Sequence, residues 1–198
     1  MTKRQPSATD AQTRWDPTQQ RILDAAEMLI TQRGVQGVTI AELARSSGFS
    51  RPTIYRSWAG ADDVVRSTLL RRVLLLIADI PTAATRAELV ADVLRFSAEF
   101  RADPLYGALL AREPEVFTRY TLHRFGASQR AILDWLARSL SSAQDGGTVR
   151  AGDPGEIAVM LLLIAQSALL SHGTVSELID DDAWERELRI ALDGHLRP

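Results

Sequence analysis

Arg51, Thr53, Tyr55 and Arg56 fall within six consecutive residues, and each carries a donor that suits a nucleic acid. Guanidinium groups bond phosphate oxygens or the O6/N7 edge of guanine, and hydroxyls bond phosphates or base edges. Ile54 and Trp58, four residues apart, make the opposite and apolar side of the same segment. The four donors therefore share an outward face. Ser50 is placed to cap this helix, and Pro52 sits in its first turn, where a missing N–H costs nothing. Before it, Ser47-Gly48 supplies a left-handed turn, and Phe49 is positioned to plug the angle. Thr39 and Glu42 have the spacing of a capping box, and Ile40, Leu43 and Ala44 give a short helix one apolar side. Residues 39–58 thus read as a helix-turn-helix shaped for the DNA major groove. Thr39, Arg45, Ser50, Arg51, Pro52, Thr53, Tyr55 and Arg56 are its candidate DNA contacts. Helix-turn-helix pairs also occur as plain packing units; the outward donors weigh against that reading here.

The words and spacing resemble the DNA-binding domain of the tetracycline-repressor (TetR, AcrR-like) family of bacterial transcription regulators. The resemblance starts at Gln20-Arg21-Ile22-Leu23-Asp24-Ala25-Ala26-Glu27-Met28-Leu29-Ile30. It runs through Arg33-Gly34, Gly37-Val38-Thr39-Ile40, Leu43-Ala44 and Gly48-Phe49-Ser50 to Thr53-Ile54-Tyr55. Family members often carry a lysine at the start of the fourth helix. Here Ala61 takes that place, followed by Asp62 and Asp63. Those carboxylates suit a helix N-terminus but repel a phosphate.

Charge is distributed in keeping with a DNA-binding head. Residues 1–60 hold eight Lys/Arg against five Asp/Glu, whereas the remainder holds 15 against 20. The chain has 198 residues and no cysteine, which excludes disulfides, thiol catalysis and Cys-ligated metals and fits a reducing cytoplasm. The polar start reads as no secretory signal. His123, His172 and His195 lie apart, and neither a metal-ligand spacing nor a phosphate loop occurs. No cofactor, metal or catalytic role is expected.

The apolar periodicity predicts an all-α chain of about nine helices. An arm over 1–15, with Lys3, Arg4 and Arg14, precedes a DNA-binding domain over 16–60 and a ligand-binding and dimerisation domain over 61–198. Asp16-Pro17-Thr18-Gln19 opens the first helix, and Asp62 to Ile80 forms the fourth. Thr85 to Glu88 caps a fifth, and Asp103-Pro104 a short sixth. A long seventh covers 115–142. Asp153 to Glu156 caps an eighth that Gly173 breaks, and Asp180-Asp181-Asp182 opens the last.

Phe96, Phe100, Tyr106, Phe117, Tyr120, His123, Phe125 and Trp135 supply aromatic surface with a few polar handles, as small-molecule pockets do. Ordinary core packing is the competing reading for each. A pocket for a small apolar or amphipathic effector is what the resemblance implies for this body. The stretch Ile157 to Leu170 is too short to span a bilayer comfortably and reads as a buried helix. It is apolar nearly all round, so it needs cover on several sides; a second copy of the chain is an economical cover, and a central place in the core of its own subunit is the competing reading. Met160, Leu163 and Ser167 form one stripe, and Leu162, Gln166 and Leu170 another; Trp184 and Leu188 of the last helix join the candidate dimer interface. By resemblance these two helices pair in a four-helix interface. The implied function is a ligand-responsive regulator, most often a repressor, that binds palindromic operator DNA as a homodimer, with no membrane partner. An effector-independent DNA binder is the alternative, and a helical enzyme or lipid carrier with a vestigial head is the remoter one.

Overall fold

The computed structural model describes residues 14–122 and 125–198, with side chains for all of these except 117 and 120–122. The described residues are helical, with ten α-helices, one 3-10 turn and no strand. In chain order the helices are α1 (Pro17–Arg33), α2 (Ile40–Ser47), α3 (Arg51–Tyr55), α4 (Ala61–Ala78) and α5 (Arg86–Ala102). There follow α6 (Pro104–Arg112), α7 (Pro114–Leu122), α8 (Ala127–Asp145), α9 (Pro154–Val175) and α10 (Asp181–Leu196). The chain forms two compact units, one of residues up to 79 together with 102–129, the other of 80–101 together with 130–198.

In the first unit α1 packs against α2, α4 and α6. Its Asp16 cap is a complete capping box: Gln19 N donates to Asp16 Oδ1 at 2.8 Å, and Asp16 N donates to Gln19 Oε1 at 3.0 Å. Ile22, Leu23, Ala25, Ala26, Leu29 and Ile30 form its buried side. Trp15, expected in the arm, is buried instead, and its carbonyl accepts from Gln20 Nε2 at 2.9 Å. Residues 1–13, with Lys3 and Arg4, lie outside the described residues. The expected boundary at residue 60 falls inside this unit. Trp58 Nε1 donates to Ser67 Oγ of α4 at 2.9 Å, and Arg71 of α4 donates to Asp24 and Glu27 of α1 at 2.7 and 2.8 Å. Further along, Arg72 pairs with the buried carboxylate of Asp103, which caps α6. Tyr106 donates its hydroxyl to the Leu69 carbonyl at 2.7 Å.

The second unit buries Leu89, Val93, Phe96 and Phe100 of α5 with Trp135, Leu136 and Leu140 of α8. The Thr85–Glu88 box is formed in both directions, at 3.2 and 3.1 Å. Arg86 Nε donates to Asp193 of α10 at 2.8 Å, and α9 packs on α10. The spacing of Trp184, Leu188, Leu192 and Leu196, one residue in four, gives α10 its buried side.

Two expected elements differ. The long seventh helix is two, because the chain breaks at 125–126 and Gly126 N donates to Gln129 Oε1 at 2.9 Å as α8 starts. α9 passes through Gly173 to Val175, since a helix tolerates one glycine at modest cost. α9 is also not wholly buried: Ile157, Ala158, Leu161, Leu162 and Leu169 face inward, whereas Met160 and Leu163 stay 48% and 41% exposed. At 22 residues it is the one helix among the described residues long and apolar enough to cross a membrane by length and composition.

Candidate nucleic-acid interface

Thr39 ends the extended approach to α2 and caps it, its Oγ1 accepting from Glu42 N at 3.1 Å. The expected return bond from Glu42 is absent. Its carboxylate takes Arg45 at 2.9 Å and Arg33 at 3.5 Å, since a cation outcompetes a neutral backbone donor for a carboxylate. Gly48 stops α2 at φ 76°, a left-handed conformation that strains any residue with a Cβ. Phe49 is half-buried under the Arg21 guanidinium, 5.1 Å from its ring centroid. Ser50 caps α3 through Thr53 N at 3.3 Å. Ile54 is fully buried and Trp58 nearly so, which fixes the rotation of α3.

That rotation leaves Arg51, Pro52, Tyr55 and Arg56 exposed, Tyr55 by 54%. Among the described residues Arg51 and Arg56 form no ion pair, which leaves both guanidinium groups uncommitted there. Thr53 is only half-exposed, and its Oγ1 stands 2.8 Å from Ser50 Oγ. A base contact by either hydroxyl must share that bond. Thr39 and Arg45 are exposed at the two ends of α2, with Arg45 held by Glu42. Two contacts escaped sequence reasoning: Gln19 Nε2 donates to Ser57 Oγ at 3.2 Å, and Arg21 covers Phe49. Neither has a spacing signal, because each joins residues far apart in the chain. α4 starts at Ala61 with Asp62 exposed. Asp63 accepts from Ala59 N at 3.2 Å and pairs with Arg66.

Phe96, Phe100 and Trp135 cluster in the second unit, with ring centroids 5.5 Å apart for Phe96 and Trp135 and 5.8 Å for Phe96 and Phe100. Tyr106 is buried in the first unit with its hydroxyl committed to Leu69. Burial pushes its pKa well above the usual phenol value, so it stays a donor. Phe125 is 42% exposed. The side chains of Phe117 and Tyr120, and all of His123, lie outside what is described. Of the candidate interface residues, Met160, Leu163 and Ser167 are exposed and Leu170 is half-buried, whereas Leu162 points into the unit. Trp184 and Leu188 also point inward, Trp184 against His172 and beneath Arg101 at 4.5 Å. Ile190, 59% exposed, takes the outer side of α10.

Residues 22–68 match the model of the family described as bacterial regulatory proteins, tetR family. The chain is 36% identical over 177 residues to an uncharacterised HTH-type transcriptional regulator of Mycobacterium tuberculosis, covering 89% of this chain and 93% of the relative. A relative in Mycobacterium bovis is similar to the same extent. Among solved structures, it is similar to SmeT, the repressor of the Stenotrophomonas maltophilia multidrug efflux pump SmeDEF. The TM-score is 0.60 at 25% identity, over 89% of this chain and 87% of that one. The fatty acid degradation regulator FadR of Bacillus halodurans shares the fold, with a TM-score of 0.62 at 17% identity over 91% and 96% of the two chains.

Proposed function

The chain belongs to the tetR family of bacterial regulatory proteins and is a transcriptional regulator; from that premise we propose that it is a cytoplasmic repressor released from its operator by a small apolar or amphipathic effector. The observation that carries the DNA role is the face of α3. Arg51, Tyr55 and Arg56 stand free on it while Ile54 and Trp58 anchor its back. Residues 16–60 serve as the DNA head, with Thr39, Arg45, Ser50, Arg51, Pro52, Thr53, Tyr55 and Arg56 as contacts. Residues 61–198 serve as the effector and dimer body. The likeness to SmeT supports repression over activation.

Two heads on one homodimer read two half-sites of a palindrome in successive major grooves. The exposed Met160, Leu163 and Ile190 favour α9 and α10 as the dimer face. A second copy covering α9 accounts for its apolar composition without a membrane. The effector acts through its differential affinity for the DNA-competent and DNA-incompetent states, the only way a ligand shifts such an equilibrium. The reading includes no catalytic step. Footprinting of the purified protein on the DNA upstream of its own gene tests it. A protected palindrome, lost in Arg51→Ala/Arg56→Ala, is expected; no preference for that DNA over random sequence overturns it.

A further inference from the structure

Trp135 is 1% exposed, and its indole Nε1 has no acceptor. Native interiors seldom leave a buried N–H unmet, and each such group calls for an explanation. Arg138 lies three residues on, so both side chains share one side of α8. Its Nε is likewise shut off from solvent and without an acceptor. Other arginines of the second unit are answered: Arg86 by Asp193, Arg95 by Asp92, Arg189 by Glu185 and Arg197 by Asp193. Arg150 donates to the His195 carbonyl; Arg101 covers the Trp184 ring, although its Nη1 is also buried without an acceptor. Arg138 has none of these. Asp134, one turn earlier, is exposed and forms no ion pair with it. Burial lowers the pKa of Arg138 from its ordinary value, with Asp134 opposing the shift; an arginine remains charged at neutral pH all the same. The Trp135 ring packs on Phe96, which packs in turn on Phe100.

We propose that Trp135 and Arg138 hold the acid group of the effector, which is an organic anion with an apolar body that rests on Phe96 and the Trp135 ring. The proposal rests on the effector reading above and narrows it. Two unmet donors, one of them cationic, fit a carboxylate or sulfonate. A neutral apolar molecule leaves both donors unmet, and a cation is repelled.

Two fluorescent probes with one aromatic skeleton test this in the full-length protein. 1-Anilinonaphthalene-8-sulfonate carries an acid group, and N-phenyl-1-naphthylamine lacks it. The sulfonate should bind about tenfold tighter or better, the scale of a charge-assisted hydrogen bond. Arg138→Gln should bring the affinity ratio close to one, and Arg138→Lys should restore part of it. Trp135→Phe should weaken the sulfonate about tenfold. Circular dichroism of each variant checks the fold, and the ratio in the parent protein decides even if a variant fails to fold. Equal affinities in the parent, or a ratio unmoved by Arg138→Gln, overturn the proposal. If the neutral probe alone binds and releases operator DNA, the acid assignment falls while the effector reading stands. If neither probe binds, the acid assignment falls, and footprinting still judges the DNA role separately.

Discussion

The Glu113 carboxylate accepts a hydrogen bond from the Val35 backbone N–H at 2.6 Å and fills the space beside Gly34 where a Cβ would stand. It thereby joins the end of α6 to the end of α1, within the unit that holds the helix-turn-helix. Arg112 adds a bond to the Thr31 carbonyl at 3.0 Å. Gly34 is at φ 75°, so a side chain there is strained as well as obstructed. Gly34→Ala should lower the unfolding free energy by about 1–3 kcal/mol. Glu113→Ala leaves Val35 N–H unmet and should cost about 1 kcal/mol or more. Urea denaturation followed by circular dichroism measures both, and an unchanged midpoint in both would remove this tie from the fold.

On DNA the outward residues of α3 should separate into two kinds. Arg56→Ala and Tyr55→Phe should weaken binding on every sequence, and the lost arginine should reduce the salt slope by about one. Arg51→Ala should relax preference at particular base pairs by about 1–3 kcal/mol. Thr53→Ala should do so less cleanly, because its hydroxyl also bonds the Ser50 cap. Titrations on operator and random DNA at several salt concentrations distinguish the two. Parent-like behaviour in all four variants refutes the docking.

Ala61 opens α4 where Asp62 is exposed. If that terminus faces a phosphate, Ala61→Lys should tighten DNA binding and steepen its salt dependence by about one counterion. A slope equal to the parent's means that α4 stands clear of the backbone.

Leu163 and Met160 are exposed on α9 while Leu162 is buried. Leu163→Glu should therefore leave the subunit folded but bury an unpaired charge in the dimer, costing several kcal/mol of association. Sedimentation should show a monomer, with operator affinity reduced through loss of the second half-site. Trp184→Ala, which empties an inward position, should instead destabilise the fold by about 3–5 kcal/mol. A dimeric Leu163→Glu protein would rule out this face.

His195 should make stability fall in mild acid. Burial, with Arg150 adding to it, holds its pKa below the ordinary 6.5, against a weaker opposing interaction with the Ile157 backbone. The unfolded chain then takes up the proton first. The contribution is complete above pH 6.5 and is lost as pH falls through 6.5 towards the lower folded value. Asp193 is also depressed, mainly by its hydrogen bond from Arg197, but its window lies below 3.8. His195→Asn should flatten the dependence of the urea midpoint between pH 7.5 and 5.5. An equal slope in both proteins would assign the loss elsewhere.

Local signals carried the sequence reading furthest. Asp16, Thr39, Ser50, Thr85, Asp103, Asp153 and Asp180 each cap the helix expected of them, because a cap needs only neighbours two or three residues away. Helix periodicity also put Ile54 and Trp58 inside. It could not choose between the two stripes of α9, nor see that Trp184 packs on His172, since both depend on what lies opposite. The split of the expected seventh helix has a local signal in Gly126. Glu113, the Trp58–Ser67 bond and the unmet donors of α8 depend on residues distant in sequence or on absent partners, and no spacing announces them.

The brevity of α3 sets a limit on how much one head can know about a sequence. Five residues rise about 7.5 Å along the helix axis, against 3.4 Å per base pair. Under the proposed docking a single head thus inspects about two base pairs, a word that recurs by chance about every sixteen positions on any genome. Recognition must then reside in the distance between two such words, and mutations that alter only that distance should misdirect the regulator as surely as those that alter its arginines.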